Sequence, residues 1–191
     1  MIPIKIIVYF FTKEKQMTLV ILGHTDSNTS MANRAVIQTL QQCGLDIEVR
    51  DIGKLYPDYK VDVVEEQSAL MRHDLIIFQH PMYWFNFSSI LQLWIEQVFV
   101  HSFAYGSQGN KLKNKKLLES ITIGQKEENI KHVMQSLSSI VEKTAQYSKM
   151  EYLGAFPLYD IATLSGNTQL DIERKAKIHG EKIYNFLQNL D

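Results

Sequence analysis

Three short stretches carry residue types suited to holding a small anionic, planar molecule. In the first, Gly23-His24-Thr25-Asp26-Ser27-Asn28-Thr29-Ser30 is rich in hydroxyl and amide groups and runs directly into a helix-like segment at Met31. The free N–H groups of a helix's first turn, its positive dipole end and neighbouring hydroxyls together form a phosphate cradle that needs no lysine. The dipole alone contributes only about 0.3–1 kcal/mol, so several donors must converge. Ser30 is equally suited to a plain helix N-cap, and His24 to a structural role. The second stretch, Pro81-Met82-Tyr83-Trp84-Phe85-Asn86-Phe87, places four aromatic residues within five. Such rings bound a planar ligand of the flavin type, or fill core beneath the loop or a subunit interface. The third, Thr122-Ile123-Gly124-Gln125, offers a hydroxyl, backbone amides and a glycine that permits close approach, and is otherwise an ordinary strand-to-helix turn.

The elements that must position these stretches follow from hydrophobic patterning. Thr18–Gly23, Asp74–Gln79 and Lys116–Gly124 are short apolar runs of the kind found in buried parallel strands, Asp46–Asp51 alternates, and Tyr152–Leu158 supplies a fifth strand. Between them, helical spacing recurs over Met31–Gln42, Val61–Arg72, Ser88–Phe99 and Glu127–Tyr147, with a last helix over about Thr168–Leu190. Leu91, Trp94, Ile95, Val98 and Phe99 form one apolar face of the Ser88–Phe99 helix, and Ile90 and Leu93 lie on the other side, so two buried faces are expected. Alternating strands and helices predict an α/β fold: a three-layer, doubly wound, five-stranded parallel sheet of order 2-1-3-4-5. In that order ligands bind beyond the carboxyl ends of the strands, between strands one and three, which is where all three stretches fall.

Several chemistries are excluded. No G-x-G-x-x-G, P-loop or G-x-S-x-G pattern is present, the six histidines form no close pair or H-E-x-x-H, and the only cysteine is Cys43. No metal centre is therefore expected, and a lone cysteine suits a reducing, cytoplasmic setting. Twenty Lys and Arg against 21 Asp and Glu leave a net charge of −1, which gives no general drive toward nucleic acid. With 191 residues, one domain is expected. The run Ile6–Phe11 is too short for a membrane span and lacks the small residues of an export cleavage site. Residues 1–16 read as an N-terminal extension and residues 17–191 as the domain.

The combination of Ser30-Met31-Ala32-Asn33-Arg34 six residues after His24, Leu55-Tyr56-Pro57-Asp58, Asp74–Phe85, Phe103-Ala104-Tyr105-Gly106 and Thr122-Ile123-Gly124 closely resembles the flavodoxin-like NAD(P)H:quinone oxidoreductases. Within that family it resembles the bacterial branch that includes the ancillary flavoprotein of the glutathione-regulated potassium-efflux system. The resemblance runs from Met17 to the C-terminus. It implies that His24, Ser30, Met31, Ala32 and Asn33 surround the phosphate of a bound FMN or FAD, that Met82, Tyr83, Trp84 and Phe85 line the isoalloxazine, and that Thr122, Ile123, Gly124 and Gln125 bound its pyrimidine edge. It also implies a homodimer with each flavin near the interface.

Two departures stand out. The family commonly carries Thr-Thr-Gly-Gly where this chain has Thr122-Ile123-Gly124-Gln125, and a tyrosine associated with charge transfer where it has Ile130. The implied activity is hydride transfer from NAD(P)H through the flavin to a quinone or similar acceptor, by ping-pong kinetics in one pocket. No catalytic side chain is identified, Tyr83 being the nearest to a donor. The alternative implied by the same branch is a flavin-bearing regulatory subunit docked on a potassium-efflux antiporter, peripheral at the inner face of the cell membrane, with little turnover.

Overall fold

The computed structural model describes residues 17–190; the expectations for residues 1–16 lie outside them. Five strands, β1 (Thr18–Leu22), β2 (Ile47–Asp51), β3 (Leu75–Pro81), β4 (Lys116–Thr122) and β5 (Glu151–Leu158), form one sheet. They pair in the order β2-β1-β3-β4-β5, parallel throughout, as the sequence pattern predicts. β1 and β3 are buried along their whole length, as expected of strands covered on both faces.

Helices α1 (Met31–Gln42) and α6 (Gln169–Gln188) cover one face, packing Val36, Ile37 and Leu40 with Ala176, Ile183 and Leu187 over Val20, Ile77 and Leu118. The other face carries α2 (Ile52–Leu55), α3 (Val63–Arg72), α4 (Ser89–Val98) and α5 (Glu127–Tyr147), with Trp94, Leu91, Ile130 and Leu137 over Leu19, Phe78 and Leu117. On α4, Ile90 is buried, but Leu93 and Ile95 are only partly covered. Two elements have no counterpart in the sequence reading. One is the single-turn α2, where Asp51 caps Lys54 N–H, and the other is a 3-10 turn at Thr163–Ser165. Both are too short to display a hydrophobic period.

The close approach of α1 and α6 rests on Gly180, where a Cβ would lie 2.8 Å from the Cβ of Thr39. Beside it, His179 is buried against β4 with Nε2 2.9 Å from Ser120 Oγ, and burial pulls its pKa down to about 4, assisted by Lys182. The unfolded chain therefore binds a proton at this residue between its ordinary pKa of 6.5 and about 4, where the folded chain does not. Stability conferred by neutral His179 is fully present above about pH 6.5 and is lost as pH falls toward 4. Urea unfolding should show a loss of about 2 kcal/mol from this residue between about pH 7.5 and about pH 5, and His179→Gln should remove that part of the pH slope. An unchanged slope in the variant would contradict it.

Candidate functional site

The carboxyl ends of β1, β3 and β4 bring the three loops together, and the β5–α6 connection closes the fourth side. The β1–α1 loop is pinned from below. Ser27 Oγ donates to Asp51 Oδ2 at 2.5 Å, and Gly53 lies so close beneath the loop that a Cβ there would sit 2.1 Å from the carbonyl oxygen of His24. Ser30 occupies the N-cap position of α1, yet its side chain makes no capping bond. Its Oγ instead accepts from Asn33 Nδ2 at 2.7 Å, and the same amide donates to Thr122 Oγ1 at 3.0 Å across the sheet end. Gln79 Nε2 in turn donates to Asn33 Oδ1 at 2.7 Å. Ser30, Asn33, Thr122 and Gln79 are all buried and form one connected unit. Because both amide hydrogens of Asn33 are used on hydroxyl oxygens, the Ser30 hydroxyl hydrogen is left free to donate to a ligand. The first-turn N–H groups of α1, including those of Ala32 and Asn33, open onto the same place.

His24 and Tyr83 join the first and second loops. The Asp26 backbone N–H donates to His24 Nδ1 at 3.1 Å, and His24 Nε2 lies 2.8 Å from Tyr83 Oη. Burial lowers the His24 pKa despite Asp26 and Asp51 nearby, so the ring is neutral at pH 7. With Nδ1 accepting, the ring hydrogen must be on Nε2, which donates to Tyr83. Burial also raises the Tyr83 pKa, so its hydroxyl keeps its own proton and has it available to donate outward.

Tyr83 and Asn86 exchange backbone hydrogen bonds of 3.0 Å in both directions around Trp84 and Phe85, whose φ values are +47° and +65°. A two-residue hairpin turn with both residues left-handed normally takes Asn and Gly, and bulky residues there cost about 1–3 kcal/mol each. Here it carries two large aromatics, Trp84 being 93% exposed. Strain kept for side chains that contribute nothing to the core points to a functional use. Phe87, by contrast, is buried against His80 and belongs to the core.

Met82, Trp84, Phe85, Ile123, Gly124, Gln125, Ile130, Ala162, Leu164 and Ser165 line a cleft of about 340 Å³. Its floor is continuous with the sheet: Met82 N–H donates to Thr122 O at 2.9 Å and Ile123 N–H to Leu158 O at 2.8 Å. Behind Pro81, the fully buried His80 sits 3.0 Å from the Pro81 carbonyl through Nδ1 and 3.2 Å from Glu119 through Nε2. The fourth wall comes from the β5–α6 connection, where Asp160 N–H donates to Gln125 O, Ile161 N–H to Ile123 O, and Lys175 Nζ donates to Asp160 O, Asp160 Oδ2 and Asn167 Oδ1. That bonding holds the Asp160 carboxyl below its ordinary pKa, chiefly through Lys175.

Of the residues expected from sequence, the structure thus gathers Ser30, Asn33 and Thr122 into the buried polar unit and His24 with Tyr83 into a bridge. Met82, Trp84, Phe85, Ile123, Gly124 and Gln125 line the cleft. Met31 lines a separate groove with Arg34, Gln38 and Glu173, and Ala32 is buried in the first turn of α1. Gln79, Ala162, Leu164 and Ser165 were not expected. Gln79 could have been noticed as the one polar residue within the apolar run Leu75–Phe78–Gln79, whereas nothing marks the β5–α6 connection. Among the described residues no group of three His, Cys, Asp or Glu is placed to hold a metal, and no helix is long and apolar enough to cross a membrane.

A parallel 2-1-3-4-5 sheet with its loops gathered at the strands' carboxyl ends is the architecture of a flavodoxin-like protein. A family described as having a flavodoxin-like fold matches residues 16–182, and the chain belongs to that family. It is 36% identical over 148 residues to the glutathione-regulated potassium-efflux system ancillary protein KefF of Enterobacter sp. (strain 638), a match covering 75% of this chain and 83% of that one. Among solved structures it is similar to general stress protein 14 of Treponema denticola, determined in complex with FMN, at 26% identity and a TM-score of 0.75, covering 90% of this chain and 99% of that one. The NAD(P)H:quinone oxidoreductase of Methanothermobacter marburgensis shares the fold at 16% identity and a TM-score of 0.70, with 88% and 96% covered.

Proposed function

We propose that the chain binds FMN and acts as an NAD(P)H:quinone oxidoreductase. The observation that carries this is the adjacency of two features: a buried hydroxyl–amide unit at the start of α1, and a cleft flanked by a strained Trp84–Phe85 turn. A mononucleotide joined to a planar ring needs both. The residues fit FMN on their own chemistry. Ser30 has a hydroxyl free of any capping role, and Gly124 presents backbone where an added Cβ would lie 3.2 Å from Ala162 Cβ. The FMN-bound relative from Treponema denticola supports FMN over FAD.

When bound, the flavin supplies hydride acceptance and donation. The chain's own residues then divide the remaining work. Ser30 and the first-turn N–H groups of α1 hold the phosphate, with Thr122 and Asn33 fixing the Ser30 hydroxyl, while Trp84, Phe85 and Met82 bound the ring and exclude water from its faces. The backbone around Ile123–Gln125 offers donors at a ring edge. Among the described residues lining the cleft none is ionisable, so the protons that a reduced quinone needs come from water or from the Tyr83 hydroxyl beside the cleft. Gln125 and Ser165 are left as hydrogen-bonding groups for the acceptor. The exposed Trp84, Phe85 and Leu164 support a homodimer in which a second copy covers them.

The KefF relative favours a second reading, a regulatory flavoprotein docked on a potassium-efflux antiporter at the inner face of the membrane. One experiment addresses both. The purified chain is expected to be yellow and to release about one FMN per chain on denaturation, identified by mass spectrometry, and a chain starting at Met17 is expected to do the same. NAD(P)H oxidation with a quinone well above the rate of free FMN supports the enzyme, and a rate no higher supports the regulatory subunit. A colourless protein that takes up neither FMN nor FAD would sink both.

A further inference from the structure

We infer that Gln79, which has no direct place in the cleft lining, is a positioning residue that gives the phosphate end of the site its polarity. Asn33 is symmetric in shape but not in chemistry, and its amide can face the Ser30 and Thr122 hydroxyls in either of two ways. In the observed orientation Gln79 Nε2 donates to Asn33 Oδ1 at 2.7 Å, turning Asn33 Nδ2 toward Ser30 Oγ at 2.7 Å and Thr122 Oγ1 at 3.0 Å. Both hydroxyls then act as acceptors toward Asn33 and keep their hydrogens for other partners. Thr122 already directs its own toward the His80 carbonyl at a long 3.5 Å, leaving Ser30 with an uncommitted hydrogen.

The reversed orientation has opposite consequences. Asn33 Oδ1 would accept from both hydroxyls, which would then turn lone pairs toward an incoming phosphate, an arrangement that repels an anion. Reversal would require Gln79 to present Oε1 to Asn33 and bury its two amide hydrogens where Oε1 now lies. That oxygen receives no hydrogen bond among the described residues. With Gln79 donating from Nε2 as observed, a reversed Asn33 would bring its own Nδ2 against that donor, donor against donor, so Gln79 biases Asn33 toward the anion-binding state. Gln79 is fully buried on β3, between β1 and β4, and so is fixed by the sheet rather than by a mobile loop.

This inference rests on the flavin reading, and it is tested by comparing two ligands that differ only in the phosphate. Affinities for FMN and riboflavin are measured by quenching of flavin fluorescence. Gln79→Met, similar in volume but without a donor, is expected to weaken FMN about tenfold while changing riboflavin less than about twofold. Asn33→Leu should weaken FMN at least as much, and adding Gln79→Met to it should have no further effect, because one residue acts through the other. Gln79→Glu, of the same size but presenting acceptors, should also lower the FMN-to-riboflavin ratio. Circular dichroism reports folding for each variant.

A wild type that prefers FMN, with the same preference retained in whichever Gln79 variant folds, would overturn the assignment. So would equal losses for both flavins, the mark of a merely structural role. A wild type that binds neither flavin would instead overturn the flavin reading itself.

Discussion

Ser30→Asp is expected to weaken FMN binding by about 10²–10³-fold while leaving the domain folded. Ser30 is buried at the N-cap of α1, and its Oγ takes the Asn33 amide rather than capping the helix. Aspartate is at least as good an N-cap as serine, and its charge suits the positive end of the helix, so the substitution should not cost stability. It does place a carboxylate where the phosphate is proposed to lie. Two unit charges about 4 Å apart at an effective dielectric near 20 repel by about 4 kcal/mol, roughly a thousandfold in affinity. Riboflavin, lacking the phosphate, should bind the variant far more nearly as it binds the wild type. The measurement is a fluorescence titration with each flavin. FMN affinity left unchanged in a folded Ser30→Asp would mean that Ser30 merely begins a helix.

The sequence pattern made the sheet legible because parallel strands buried on both faces are short and nearly all apolar. Leu19–Leu22 and Leu75–Phe78 cannot be mistaken for amphipathic helix, and the alternation with helical segments leaves few topologies open. Predicted boundaries fell within about two residues for most elements. β3 continues past the apolar run and ends at His80–Pro81, as expected from the sequence, because both residues pair in register with Ile121 and Thr122. Helix α2 and the 3-10 turn were invisible for want of length.

The site was legible only in part. Loop composition marked Ser30, Thr122 and the aromatic run, since hydroxyls before a helix and rings in a loop both call for a reason. It could not show that Ser30 and Thr122, 92 positions apart, share the amide of Asn33. Nor could it show that Trp84 and Phe85 sit left-handed in a turn that ordinarily takes Asn-Gly. The β5–α6 wall depends on Lys175 reaching Asp160 and Asn167, contacts between residues that look like plain solvated surface in the sequence. The same blindness applies to Glu66, which in sequence is one of two adjacent glutamates on the α3 helix.

In the fold Glu66 is 0% exposed and accepts four hydrogen bonds: Arg50 Nε at 3.0 Å, Arg50 Nη2 at 2.6 Å, Tyr56 Oη at 2.6 Å and Trp94 Nε1 at 3.0 Å. Those donors come from β2, from the residue after α2, and from α4, so a single carboxylate ties three elements to α3. Burial and the adjacent carboxylate push the Tyr56 pKa up to about 12, which keeps that hydroxyl a donor. Glu66→Ala is expected to destabilise the domain by about 3 kcal/mol or more, because it leaves Trp94 Nε1 and Tyr56 Oη without acceptors and removes the main partner of Arg50. Glu65 and Glu48, 3.5 and 4.0 Å from Arg50 Nη1, compensate only in part. For a chain of this size the loss corresponds to a fall of about 6–12 °C in Tm. Glu66→Gln should cost less, since one amide oxygen can still accept from Arg50 and Tyr56, but its amide nitrogen then meets the Trp94 N–H, donor against donor. Because α2 also supports the His24–Thr25 backbone through Gly53, Glu66→Ala should weaken FMN and riboflavin alike, unlike Ser30→Asp. Thermal unfolding of the two variants checks the order, and a Tm for Glu66→Ala within about 2 °C of wild type would show that the four bonds add little to folding.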